Sequence, residues 1–80
     1  LKNPQPTSRL HAAWLLHTHH LLKEEMLQLL LRDESAVVRE NALRMAEDYL
    51  VQSNQLWTEV QHRMSDGNDR VRMQAALSIS

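Results

Sequence analysis

Shifting the sequence by 33 positions lays DESAVVRENAL, Asp33 to Leu43, on DGNDRVRMQAA, Asp66 to Ala76. Asp33 then meets Asp66, Val38 meets Val71, Arg39 meets Arg72 and Ala42 meets Ala75; upstream, Leu27 meets Val60 and Leu31 meets Met64. A looser third copy, shifted by 30, lays SRLHAAWL on VRENALRM and matches Arg9 with Arg39 and Ala12 with Ala42. The shared skeleton is Arg-x-x-Ala, preceded by Asp in the two fuller copies. A unit of about 30 residues cannot bury its apolar face alone, so units of this length stack on one another. The period predicts an all-α chain, an α-solenoid of about two and a half helical hairpins.

Apolar spacing gives the content of each unit. Leu27, Leu30 and Leu31, and later Leu56, Val60 and Met64, recur every three or four residues, one face of a helix. Val38, Ala42, Met45 and Tyr49 form one stripe, and Leu43, Ala46 and Leu50 a second beside it, so this helix needs cover from more than one side. Small side chains at Ala42, Ala46, Ala75 and Ala76 suit close helix approach. The expected helices run roughly over 6–17, 23–32, 36–51, 54–65 and 69–80 of a single domain spanning 1–80. Pro6 fits a first helical turn, Glu24 and Glu25 favour a helix N-terminus, and Asp33 or Ser35, then Asn68 or Asp69, are the expected caps. Gly67, the only glycine, follows a helix, where a left-handed residue is expected.

Nine Lys and Arg against ten Asp and Glu leave a net charge of −1 with interspersed signs, which argues against a nucleic-acid partner. No apolar run approaches the ~18 residues of a membrane span. With no cysteine, the chain has no disulfide, thiolate zinc site or haem attachment of its own. Beginning at Leu1 and stopping inside an apolar pattern, it is expected to be a fragment of something longer.

At VVRENALRMAE and DRVRMQAAL the chain resembles HEAT repeats, the armadillo-like helical repeats, and among them the short type first described in phycobilin lyases. SRLHAAWLLH, LLLRDESAVVRENALRMAE and DGNDRVRMQAALSIS, taken in that order, look like the HEAT-repeat segment of large bacterial membrane-bound dehydrogenase-like proteins. Those proteins join a sugar-dehydrogenase-like β-propeller to HEAT repeats and a c-type cytochrome domain. The resemblance implies an exported, periplasmic parent whose redox chemistry lies elsewhere, and no cofactor in this segment. It also implies that Asp and Arg at the repeated positions link inter-helix turns, and that the helix ending at Trp14–His17 runs into a turn where Thr18 and His20 replace the usual glycines.

WLLHTHHLL puts three histidines within four positions. His17 and His20, with Glu24 four residues on, are the candidate metal ligands, but zinc wants three or four fixed ligands, and a solvated turn is the preferred reading. An iron-binding HEAT-repeat hydroxylase would need His-Glu pairs, and no histidine here precedes an acid. Arg9, Asp33, Arg39, Asp66 and Arg72 form the repeated ladder, read as structural. Trp14 is expected in the core. Trp57, whose counterpart one repeat earlier is Glu24, is the first candidate for partner contact. Met26, Met45, Met64 and Met73 are expected to fill core gaps. Glu40 and Arg44 form an i,i+4 pair. No nucleophile–base spacing or glycine-rich phosphate loop is present, so no catalytic residue is assigned.

These features predict a non-catalytic spacer or scaffold, or a protein-interaction module. Its partners would be other domains of its parent or a separate protein. The competing expectations are a cytosolic HEAT adaptor and part of a bilin-lyase-like repeat enzyme. An uncovered end surface, Val71, Met73, Ala75 and Leu77, predicts dimerisation of the segment.

Overall fold

A computed structural model describes residues 5–79. Among them lie α1 (Pro6–Thr18), α2 (Glu24–Leu31), α3 (Ala36–Ala46), α4 (Asn54–Arg63) and α5 (Asp69–Ile79), and no strand. The chain is all-α. Position 80, included in the expected last helix, is outside the described residues.

α3 is the hub. It packs against each of the other four helices, α2 and α4 pack against each other, and α4 packs on α5. Its wide apolar arc is filled from several sides: Val38, Ala42, Leu43, Met45 and Ala46 are buried. Leu27, Leu30 and Leu31 of α2, Leu56 and Val60 of α4, and Val71 and Ala75 of α5 complete the core. The thinnest dimension, 16 Å between Cα extremes, leaves room for only about two helix diameters.

The helix ends depart from the expectations in instructive ways. The apolar stripe predicts α3 through residue 51, yet the helix stops at Ala46. Beyond it, Tyr49 N–H bonds to the Ala46 carbonyl and Gln52 N–H to that of Tyr49, three residues back in each case. Tyr49 and Leu50 still pack against the core from this tighter turn, so the apolar spacing persists after the helix has ended.

Gly67 is not left-handed; no described glycine has a positive φ. The residue in that region is His20, at φ 60°. It sits just beyond α1, where Leu21 N–H reaches back to the Leu16 carbonyl at 2.7 Å and His20 N–H to His17 at 3.1 Å. This pair of bonds is the Schellman closure of a helix C-terminus, a place usually held by glycine.

Caps also sort themselves. Ser35 is the N-cap residue of α3, but its side chain makes no cap bond. Asp33 instead accepts the Ser35 N–H at 2.9 Å. One repeat later Asp66 accepts the Asn68 N–H at 2.9 Å, and Asn68 caps α5 by accepting from Arg70 and Val71. Asp69 is helical. Pro6 stands in the first turn of α1 and Glu24 and Glu25 in that of α2.

Candidate functional site

Two aspartates stand at the turns between paired helices, and each is gripped from the preceding unit. Arg9 on α1 makes two hydrogen bonds to Asp33, Nε at 2.9 Å and Nη2 at 2.8 Å. Arg39 on α3 makes the same fork with Asp66, at 2.9 and 3.0 Å. A planar guanidinium on a carboxylate gives both strength and fixed orientation. Arg39 also donates from Nη1 to the Asp33 carbonyl at 2.7 Å, six residues back, so it closes its own turn while holding the next. Arg72 makes the equivalent bond to the Asp66 carbonyl at 2.6 Å, and its other arm pairs with Asp69.

Burial alone would push the Asp33 carboxyl up. The Arg9 hydrogen bonds, the Ser35 N–H and the charges of Arg9 and Arg39 outweigh it and hold the group below the usual range. Asp66 is balanced the same way by Arg39, the Asn68 N–H and Arg63. Glu59 is lowered first by its hydrogen bond from Arg32, against an opposing burial effect. That pair and the Gln28–Gln55 bond at 3.3 Å join α2 to α4.

The histidine stretch forms a separate feature. His17, His20, Leu22, Asp48, Tyr49 and Gln52 line a shallow concavity of about 380 Å³. His17 Nε2 lies 3.3 Å from Asp48, while its Nδ1 is buried with no hydrogen-bond partner. The imidazole meets Trp14 edge-on at 5.4 Å, and Trp14 in turn donates to Asn41 at 3.3 Å. The Tyr49 hydroxyl donates to the Leu22 carbonyl at 2.7 Å, so the one hydroxyl in the lining is already engaged. A histidine–carboxylate pair is present here, and the residues lining the concavity include no serine, threonine or cysteine.

Glu24, the expected third ligand, is not among the lining residues. Its Oε1 is buried without a hydrogen bond. Among the described residues no three His, Cys, Asp or Glu side chains are grouped to hold a metal ion. Asp48 and Tyr49 escaped sequence reasoning because they lie some 30 positions from the histidines and looked like helix interior.

Further expectations need correcting. Trp14 is only half-buried, since its indole N–H must reach Asn41. Of the methionines, Met45 is buried and Met26 packs against the core, but Met64 and Met73 are exposed. Ala76 is exposed too, while Val71 and Ala75, expected on an uncovered surface, are fully buried. Trp57 lies on α4 with 39% of its surface exposed. Glu40 and Arg44 pair at 3.4 Å. No described helix is long and apolar enough to cross a membrane.

Comparison of the chain with protein-family models, with curated proteins and with solved structures finds no match.

Proposed function

We propose that this chain is a non-catalytic α-solenoid module of HEAT type, a spacer or protein-interaction surface within a larger exported, dehydrogenase-like protein that carries a c-type cytochrome. The observation that carries the solenoid reading is the recurrence of one linkage. Arg9 to Asp33 and Arg39 to Asp66 are the same fork on the same kind of turn. Identical links between successive units are what a stack of nearest-neighbour repeats requires. Trp57, exposed on α4, is the first candidate contact for a partner.

The redox context rests on the resemblance of SRLHAAWLLH and the two later segments alone, and with no cysteine the haem would be attached outside these residues. Oxidised and dithionite-reduced absorption spectra of the full-length protein containing this segment test it. Sharp c-type haem bands support the exported electron-transfer setting. Their absence from a fully matured preparation removes that setting and favours a cytosolic adaptor.

A further inference from the structure

α5 repeats α3 thirty-three residues later at both ends. Each residue through which α2 and α3 meet the following hairpin therefore has a counterpart on α4 or α5. Within the chain those residues meet that hairpin: Leu31 and Leu43 are fully buried, Arg39 holds Asp66, and Glu40 and the half-exposed Arg44 pair with Arg70 and Gln74. Their counterparts are Met64, Ala76, Arg72, Met73 and Leu77. Met64 is 44% exposed and Met73 68%. The arm of Arg72 that corresponds to the fork of Arg39 rests on Asp69, whose side chain is 91% exposed. Two counterparts also change character. Where α3 carries Glu40 and Arg44, α5 carries Met73 and Leu77.

We infer that the α4–α5 face docks a further helical hairpin of defined chemistry: an aspartate at its turn for Arg72, and apolar side chains on its second helix against Met73 and Leu77. This rests on the reading of the chain as a stack of hairpins. The apolar requirement distinguishes the occupant from the chain's own last hairpin, which presents Arg70 and Gln74 at the corresponding places. A second copy of the chain does not fit either, because its turn aspartates are already held by Arg9 and Arg39. On docking, Arg72 exchanges a solvent-exposed partner for a covered one, and Met64 and Met73 leave water, the main favourable term in such an interface.

The test fuses a second copy of residues 48–80 after position 80, keeping the 33-residue spacing, with Arg70→Leu and Gln74→Leu in the added copy. The expected result is one cooperative unfolding transition with a midpoint above that of the parent chain. Arg72→Ala and Asp66→Asn in the added copy should be non-additive, with a coupling of roughly tenfold in the unfolding constant. Restoring Arg70 and Gln74 in the added copy should lower the midpoint. An added hairpin that unfolds separately, an additive cycle, or no effect of that restoration overturns the inference. So does a parent chain that sediments as a dimer and becomes monomeric with Met73→Glu. The Arg39–Asp66 cycle in the parent serves as the internal reference. If it too is additive, the hairpin-stack reading falls; if only the Arg72 cycle is additive, the docking face alone falls.

Discussion

His20 and Gly67 have, in effect, exchanged roles. His20 closes α1 in the left-handed region, where an L side chain costs about 1–2 kcal/mol. Gly67 occupies a turn with no positive φ, and a Cβ built on it would meet nothing within 4 Å. His20→Gly is therefore expected to stabilise the fold by about 0.5–1 kcal/mol after the added unfolded-state freedom is subtracted. Gly67→Ala should also stabilise, by about 0.5 kcal/mol, through reduced unfolded-state freedom. Thermal unfolding of the two variants checks both, and a lower midpoint for either contradicts the backbone argument. The sequence marked this histidine turn as unusual, but residue type pointed to Gly67 for the left-handed place. Backbone bonds from Leu21 and His20 made the choice instead, and composition does not reveal them.

Between elements, the forked charge pairs are concentrated at the turns. Asp66 accepts two bonds from Arg39 and one from the Asn68 N–H, with Arg63 at 3.6 Å. Asp66→Ala leaves those donors unmatched in a half-buried site and is expected to cost about 2–3 kcal/mol, or on the order of 10–20 °C in melting temperature. Arg70, 3.8 Å from Glu40 and largely solvated, should change stability by less than about 0.5 kcal/mol when replaced by Ala. Denaturant titration of both variants separates the two classes of ion pair. At this scale the sequence was most legible. The sequence repeat pointed to Asp33, Asp66, Arg39 and Arg72 at a shift of 33 and to Arg9 at a shift of 30, and two of these arginines, Arg9 and Arg39, meet their aspartates through the same fork. What it hid were the contacts that do not repeat. The concavity of His17 with Asp48 has no second copy, and the end of α3 was masked because Tyr49 and Leu50 keep facing the core after the helix stops.

Over the whole molecule, three carboxyls, Asp33, Asp66 and Glu59, are held below their ordinary range in the folded chain. Between their lowered folded values and the ordinary carboxyl range, the unfolded state binds more protons than the folded one. Their contribution is present above about pH 4 and is lost as the pH falls through the lower folded values. Melting temperature is expected to show little carboxyl-linked loss between pH 7 and 5 and to fall below about pH 4, with a shallower acid slope in Asp66→Asn. An unchanged slope in that variant would remove Asp66 from the acid transition. The thin, two-helix-deep body makes these links matter, because there is no thick central core to compensate when one opens.

Asp33 faces backward to Arg9, and Arg39, six residues on, faces forward to Asp66. Both halves of the joint thus lie within a single short stretch of coding sequence. A gene duplication that copies the stretch copies a plug together with its socket, so on the proposed reading as stacked hairpins the chain could lengthen or shorten by whole units without any new residue having to arise at the seams.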